Sequence, residues 1–207
     1  MTGERRRRAH RTAPPLGILT VCTGNICRSP LAEQLLRQRL AGDFRYELAS
    51  AGLNAVVGAP MDPMAAEQLR VYGGDPHGLV GEQLDGVRVD ASDLLLTMTR
   101  GQRDHLIRRY PRAAQRTFTL AEFAALAPAA VQAAGRASAG GARPERPEAQ
   151  GVVEAAARNR FSAQLTDADD VEDPINASPE VHARVASQIA GLVEAISTDL
   201  RALPASA

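Results

Sequence analysis

Residues 17–40 constrain the fold of this chain more than any other segment. Residues 17–21 form a short apolar run, which is typical of a buried parallel strand. Ser29-Pro30 then favours the start of a helix, with Ser at the cap and Pro at the first helical position. An apolar stripe follows at helical spacing: Leu31, Leu35, Leu36 and Leu40. A buried strand that passes directly into an amphipathic helix predicts an α/β domain.

The remainder of the chain repeats this alternation. Further strands are predicted at residues 44–49, 93–98 and 116–119. Helices are predicted at residues 63–71, 102–110, 120–126, 152–160 and from 178 to about 200. Strands that alternate with helices at this spacing indicate a parallel sheet covered by helices. The predicted fold is therefore a three-layer α/β domain with a four-stranded parallel sheet.

The domain organisation follows from length and local composition. With 207 residues, 44% of them hydrophobic, the chain can build one good-sized core but not two ordinary domains. We expect a disordered basic tail over residues 1–15 and a single domain over residues 16–202. From about residue 128 to 150 the pattern gives way to Ala, Gly, Pro and Arg, which predicts a mobile low-complexity insertion.

Charge and cysteine content exclude several classes of protein. The formal net charge is zero, so we expect no nucleic-acid partner, and no apolar run approaches the length of a membrane span. Two cysteines, Cys22 and Cys27, lie in one loop and cannot form a disulfide framework, which indicates a reducing, cytoplasmic location. The sequence contains no cluster of metal ligands, and we expect neither a metal nor an organic cofactor.

The loop after the first strand carries recognisable chemistry. Residues 22–29 read Cys-Thr-Gly-Asn-Ile-Cys-Arg-Ser, a Cys-x5-Arg-Ser pattern. Successive amides that curl from a strand into a helix can converge on a tetrahedral oxyanion, and the helix dipole strengthens that field. We expect Gly24 to allow the tight curl. The predicted phosphate-binding residues are Thr23, Gly24, Asn25, Ile26, Cys27, Arg28 and Ser29.

Two side chains of this loop have complementary chemistry. The planar guanidinium of Arg28 matches two phosphate oxygens, which the ammonium group of a lysine cannot do. A helix N-terminus and a neighbouring cation favour the thiolate form of a cysteine. The surroundings that bind phosphate would therefore also activate the sulfur of Cys22 as a nucleophile.

Residues 21–33, Val-Cys-Thr-Gly-Asn-Ile-Cys-Arg-Ser-Pro-Leu-Ala-Glu, closely resemble the motif of low-molecular-weight protein tyrosine phosphatases. That family carries its cysteine motif at the start of the chain and its acid near the end, where residues 171–174, Val-Glu-Asp-Pro, look like the family's acid loop. The resemblance covers roughly residues 17–126 and 170–200. It implies a phosphomonoester hydrolase with a phosphocysteine intermediate, in which Cys22 is the nucleophile, Arg28 the phosphate clamp and Asp173 the general acid.

The same resemblance implies roles for supporting residues. Ser50-Ala51-Gly52 is similar to the family segment after the second strand. By resemblance, Asn25, Ser29 and Ser50 would hydrogen-bond one another and hold the phosphate loop in shape. The implied substrate is a phosphorylated protein or a small aryl phosphate.

Cys27 has an implied role as well. Judged from the residue alone, it is equally suited to be a small buried hydrophobe. The resemblance implies a reversible disulfide with Cys22 that would shield the nucleophile from over-oxidation.

Two positions depart from the family pattern. The family usually has aromatic residues in the loop after Ser-Ala-Gly and directly after Asp-Pro, where the rings flank a phosphotyrosine side chain. This chain has Val56 and Ile175 in those places. The catalytic loop is intact, but the preference for phosphotyrosine is left open.

Two alternatives to a phosphatase were weighed against the residues. An arsenate reductase of the same fold needs further cysteines in a downstream loop, and no cysteine follows Cys27. A non-catalytic module that binds phosphoproteins or polyanions through the same loop is compatible with the aliphatic walls and the insertion. Turnover of a generic aryl phosphate separates this module from an enzyme.

Overall fold

Four parallel strands form the centre of the domain in the computed structural model, which describes residues 14–139 and 148–203. The strands are β1 (Leu16–Cys22), β2 (Tyr46–Gly52), β3 (Leu94–Thr97) and β4 (Thr117–Thr119). They lie side by side in the order β2-β1-β3-β4, and every neighbouring pair is parallel. The predicted α/β fold with a four-stranded parallel sheet is confirmed.

Helices cover both faces of this sheet. They are α1 (Arg28–Arg39), α2 (Pro63–Val71), α3 (Gly86–Ala91), α4 (Arg100–Arg109), α5 (Leu120–Ala139), α6 (Glu148–Arg158) and α7 (Pro179–Arg201). Side chains of β1 alternate between two cores: Leu16, Ile18 and Cys22 join α1, α5 and α7, whereas Leu19 and Val21 join α3 and α4. This period of two is what a strand buried on both faces requires.

The second strand begins later than the sequence predicted. Phe44 was expected inside it, but this side chain is 94% exposed. Pairing starts at Tyr46, opposite Leu16, and the Tyr46 hydroxyl donates a 2.8 Å hydrogen bond to the carbonyl of Leu200 in α7. The buried, hydrogen-bonded tyrosine supports this register, because a shift by one residue would turn its ring to the other face of the sheet and break the hydrogen bond.

Residues 128–139 are helical, in contrast to the predicted low-complexity insertion from 128 to 150. Helix α5 continues through Pro128 to Ala139, and α6 begins at residue 148. Ala127, Ala130 and Ala134 are buried in the core that also contains Val152 and Ala156 of α6. Alanine has the highest helix propensity, and its small side chain allows two helices to approach closely. The alanine-rich composition therefore builds a packed helix pair here.

Parts of the predicted organisation lie outside the described residues. These parts are residues 1–13 of the basic tail and residues 140–147 of the insertion. Within residues 14–139 and 148–203, no helix combines the length and the apolar character needed to cross a membrane.

Candidate active site

The phosphate loop, residues 22–28, joins the carboxyl end of β1 to the start of α1. Strand β1 lies inside the sheet, between β2 and β3. Ligand sites of parallel α/β sheets lie at this edge, where connections leave neighbouring strands for opposite faces. Helix α1 begins at Arg28 with Cys27 at the cap position, so the predicted cap at Ser29 is two residues too late.

The carbonyl oxygens of the phosphate loop point outward, into the surrounding wall. The carbonyls of Cys22, Thr23 and Gly24 each accept a 2.9 Å hydrogen bond, from the N–H groups of Leu53, Asn54 and Val56 in that order. The carbonyl of Ile26 accepts a 2.7 Å hydrogen bond from the N–H of Asp62. In a planar trans peptide the N–H points opposite to the carbonyl of the preceding residue. The amides that follow these carbonyls are therefore directed to the inside of the loop.

The inward amides have few partners within the protein. The N–H of Asn25 lies 3.3 Å from the sulfur of Cys22, which places that sulfur at the focus of the curl. Across residues 14–139 and 148–203, no acceptor is found for the N–H groups of the other loop positions: Thr23, Gly24, Ile26, Cys27, Arg28 and Ser29. Such a ring of free donors at a helix N-terminus is suited to an oxyanion.

Asn25, and not Gly24, makes the tight curl of the loop. Asn25 has φ +54°, in the left-handed region that asparagine tolerates better than most residues. A Cβ atom at Gly24 would meet only ordinary contacts, 3.6 and 3.7 Å from Ile26 and Val56, and its φ is not positive. The expected role of Gly24 is therefore wrong, because the conformational demand falls on the next residue.

Two groups hold the side chain of Asn25 in this conformation. Its side-chain N–H donates a 2.9 Å hydrogen bond to the hydroxyl of Ser29, whose oxygen also lies 2.9 Å from the sulfur of Cys22. Its side-chain oxygen accepts a 2.7 Å hydrogen bond from the backbone N–H of Glu82. Ser29 and Asn25 are buried, so these bonds are shielded from water and restrain the loop.

Ser50 does not take part in this network. Its side chain makes no hydrogen bond to any described residue, although Ser50 stands next to Thr20 in the sheet register. The position that the resemblance assigned to Ser50 is taken by Glu82, whose backbone is brought to Asn25 by the segment that follows α2. A backbone donor can come from any residue type, so the sequence carried no sign of it.

The two cysteines of the loop differ in their surroundings. Burial, together with the nearby charges of Cys22 and Asp62, raises the pKa of the Cys27 thiol to about 12. Cys27 therefore stays protonated at neutral pH and is a poor nucleophile there. Both cysteines are free in this structure, and the disulfide implied by the family resemblance stays a prediction.

Arg28 connects the phosphate loop to the acid loop, residues 170–175. Its guanidinium, only 3% exposed, donates a 3.0 Å hydrogen bond to the carbonyl of Val171, 143 positions away. The other terminal nitrogen lies 2.5 Å from a carboxylate oxygen of Asp173, a side chain that is half exposed. The Nε atom of Arg28 is buried and has no hydrogen-bond partner among the described residues. The tertiary structure thus brings Cys22, Arg28 and Asp173 to one place.

Gln102 is a site residue that the sequence reasoning missed. Its amide oxygen accepts hydrogen bonds from the N–H groups of Met98 and Thr99, and its amide N–H donates a 3.1 Å hydrogen bond to the hydroxyl of Thr23. Thr99 caps α4 reciprocally through the N–H of Gln102. The Thr-x-x-Gln capping box was visible in the sequence, but its contact with the phosphate loop depends on the packing of α4.

Aliphatic side chains border the loop where the family usually has rings. Val56 is 49% exposed beside Gly24 and Ile26, and Ile175 is 37% exposed two residues after Asp173. A Cβ atom at Gly81 would lie 2.4 Å from the carbonyl of Val56, so only glycine allows that segment to approach the wall. The rim of the site is therefore apolar but without aromatic groups.

One cavity of the domain lies apart from this site. It measures about 500 Å³ and is lined by residues before β3, in the turn after α4 and in α6, including Asp90, Asp93, Arg112 and Arg116. No residue of the phosphate loop lines it. A phosphoryl group is small and is recognised by converging donors, so the chemistry of the loop identifies the site better than volume does.

Comparisons with known proteins agree with this geometry. Residues 17–132 match the family model described as low molecular weight phosphotyrosine protein phosphatase. The chain is 42% identical over 105 residues to a probable low molecular weight protein-tyrosine-phosphatase, EpsP, of Ralstonia nicotianae, covering 51% of this chain and 70% of that protein. It is also 38% identical over 110 residues to a protein-arginine-phosphatase of Geobacillus stearothermophilus, covering 53% of this chain and 72% of that protein.

The solved structures show the same fold. A low molecular weight protein tyrosine phosphatase from T. tengcongensis aligns with a TM-score of 0.63 and 28% sequence identity. The alignment covers 87% of this chain and 97% of that one.

Proposed function

The chain belongs to the low molecular weight phosphotyrosine protein phosphatase family, and from this premise we propose that it hydrolyses phosphomonoesters through a phosphocysteine intermediate. The family and the fold predicted from the sequence are confirmed. One observation supports the proposed site above all others: Asp173 lies 2.5 Å from Arg28, although the two residues are distant in sequence. A nucleophile, a cation and an acid are thereby combined around one ring of free amides.

In the first step, the loop amides and Arg28 bind the phosphoryl group. The sulfur of Cys22 attacks phosphorus, forming a P–S bond, while the P–O bond to the leaving group breaks. Asp173 donates its proton to the leaving oxygen. The amides and the guanidinium stabilise the negative charge on the equatorial oxygens, and they need no rearrangement because hydrogen bonds through Asn25 and Ser29 already hold the loop.

In the second step, water hydrolyses the phosphocysteine. Asp173, now a carboxylate, accepts a proton from the water while the water oxygen attacks phosphorus and the P–S bond breaks. Ser29 lies 2.9 Å from the sulfur and can donate a hydrogen bond to it as it leaves. Inorganic phosphate is released and the nucleophile is restored.

Hydrolysis of 4-nitrophenyl phosphate is the primary test of this function. Turnover, with a phosphoenzyme trapped by acid quenching during the reaction, would support the covalent mechanism. Binding of phosphate without turnover would establish the non-catalytic module instead. We place the reaction on phosphorylated proteins in the cytoplasm, because a cysteine nucleophile needs a reducing compartment.

Replacement of Asp173 should produce a loss that depends on the leaving group. Removing a general acid typically costs about 10²–10⁴ in rate, and a good leaving group needs less protonation. We expect Asp173→Ala to lose activity on phenyl phosphate by a factor in that range, and on 4-nitrophenyl phosphate by a clearly smaller one. Steady-state kinetics on both esters, with vanadate inhibition to show that anion binding persists, provide the measurement.

Asp62→Ala is the matched control for this variant. Asp62 also precedes a proline, but its carboxylate accepts hydrogen bonds of 3.0 Å from the N–H groups of Met64 and Ala65 and caps α2. Loss of such a cap costs about 1 kcal/mol of stability. The activity of Asp62→Ala should fall, if at all, by the same factor on both esters. If Asp173→Ala also lost activity by the same factor on both esters, Asp173 would not be the general acid.

The aliphatic walls lead to a prediction about the substrate. Because Val56 and Ile175 replace the usual rings, we expect phosphotyrosine peptides to bind weakly. Each well-placed aromatic contact contributes about 0.5–1.5 kcal/mol, so Val56→Phe and Ile175→Phe together, at about 1–3 kcal/mol, should lower the KM for such peptides about 5- to 150-fold. The control Val71→Phe, at an exposed position of α2, should leave KM unchanged. Strong selectivity of the wild type for phosphotyrosine over small aryl phosphates would contradict the prediction.

Phosphoarginine is a second candidate substrate for the same site. The relative from Geobacillus stearothermophilus, 38% identical, is named a protein-arginine-phosphatase. An aliphatic rim at Val56 and Ile175 does not select for an aryl ring. Parallel assays with one protein phosphorylated on tyrosine and on arginine would decide between the two by the ratio of kcat/KM.

A further inference from the structure

The acid loop is attached to the domain through the first turn of α4. The N–H of Val171 donates a 2.9 Å hydrogen bond to the carbonyl of Met98, just after β3. The carboxylate of Asp170 accepts a 3.0 Å hydrogen bond from the N–H of Arg100, the first residue of α4. The guanidinium of Arg100 pairs with the carboxylate of Asp167 and lies 3.8 Å from that of Asp170.

Asp170 suits this position for a physical reason. The first N–H groups of a helix have no acceptor within the helix, and its N-terminus carries partial positive charge. At the start of α4, the hydroxyl of Thr99 accepts a hydrogen bond from the N–H of Gln102, and the carboxylate of Asp170 accepts one from the N–H of Arg100. Asp170 adds a negative charge that both the helix dipole and the guanidinium of Arg100 favour.

The same helical turn also touches the phosphate loop. Gln102, two residues after Arg100, donates its hydrogen bond of 3.1 Å to Thr23. One turn of helix therefore contacts the phosphate loop with the side chain of Gln102 and the acid loop with the backbone N–H of Arg100. This turn therefore helps to set the separation between nucleophile and acid, together with the contacts of Arg28 with Val171 and Asp173.

We propose that Arg100 and Asp170 are positioning residues, which hold the acid loop so that Asp173 meets the leaving group. This inference rests on the proposed function. Neither residue has a hydrogen bond to the phosphate loop among the described residues, so both would act only through Asp173. A general acid must lie within about 2.6–3.2 Å of the oxygen it protonates, and a displacement of about 1 Å costs about 10²-fold.

Two substitutions of Asp170 separate the contribution of its charge from that of its hydrogen-bond acceptor. Asp170→Ala removes both the charge and the acceptor, and we expect about a 10- to 100-fold lower kcat on phenyl phosphate. The loss on 4-nitrophenyl phosphate should be smaller, and vanadate inhibition should be unchanged. Asp170→Asn keeps an acceptor oxygen for the N–H of Arg100 and should recover most of the rate. If Asp170→Ala does not fold, as judged by circular dichroism, Arg100→Gln serves in its place; it removes the guanidinium but keeps the N–H that bonds Asp170, so we expect a smaller loss, again larger on phenyl phosphate.

A double-mutant cycle with Asp173 is the decisive experiment. If Asp170 acts through Asp173, Asp170→Ala should cause no further loss in an Asp173→Ala background. A loss of equal size in both backgrounds, with the same factor for both esters, would show a merely structural role and overturn the inference. Arg39→Gln is the matched control, because it removes an arginine from a half-exposed ion pair with Glu194 at the far end of α1. That variant should keep wild-type kinetics.

The cycle also distinguishes failure of this inference from failure of the proposed function. Turnover by the wild type and its loss in Cys22→Ser test the function alone. With both established, an additive cycle removes only the positioning role of Asp170. A wild type without turnover, or a Cys22→Ser variant with full turnover, overturns both.

Discussion

Replacement of Cys22 with serine is expected to reduce turnover of aryl phosphates below about 1% of wild type while anion binding persists. A serine hydroxyl is far less nucleophilic than a thiolate, so no covalent intermediate forms. The binding groups are unaffected, because they are the inward backbone amides and Arg28. Vanadate should therefore still bind, as measured by protection of the fold in thermal melts.

Alkylation by iodoacetamide is a second measurement on the same variant. In the wild type we expect a single modified residue, Cys22, and protection by phosphate. Cys27 does not compete at neutral pH, because burial raises the pKa of its thiol to about 12. Cys22→Ser should thus be unlabelled. Activity of more than a few per cent in this variant, or labelling at Cys27 instead, contradicts the covalent mechanism.

Replacement of Arg28 with lysine should be nearly as damaging as replacement with alanine. The guanidinium places one nitrogen on the carbonyl of Val171 and another on Asp173, which orients its remaining edge. A lysine ammonium cannot make both contacts and also hold two phosphoryl oxygens. Loss of one transition-state donor costs about 10²–10³ in kcat, and we expect both variants to lose at least that much.

The measurement for Arg28 compares kcat/KM and vanadate inhibition in both variants. Arg39→Lys provides a control for the chemical change itself, because Arg39 is half exposed and pairs only with Glu194 among the described side chains. That substitution should have little effect on either quantity. Catalysis by Arg28→Lys within about threefold of wild type would exclude Arg28 as the clamp.

Local features of the site could be predicted well from the sequence. The apolar run before Cys22 and the Asp62-Pro63 cap of α2 depend on neighbours within a few residues, and the structure confirms both. The alternation of strands and helices is confirmed as well, and the Cys-x5-Arg motif lies where it was expected, between β1 and α1. Such patterns report burial and backbone geometry directly, because they have the period of the element that they form.

Predictions failed where a local propensity competed with a tertiary contact. Ser29 was predicted to cap α1, but its hydroxyl contacts Cys22 and Asn25 instead, and the helix starts two residues earlier than predicted. The alanine-rich stretch after Pro128 resembles a flexible segment in composition, yet it is helical against α6 and α7. In both cases burial against a distant element outweighed the preference of the isolated segment.

The sequence by itself therefore determined the Cys-x5-Arg loop after the first strand and the alternation of strands and helices along the chain, since these follow from periodicity and short-range chemistry. Only the tertiary structure decided which distant groups complete the site. Asp173 reaches Arg28, Glu82 replaces Ser50 beside Asn25, and Gln102 reaches the phosphate loop. Contacts of this kind depend on how helices pack on the sheet, and a single backbone N–H or amide leaves no periodic pattern along the chain.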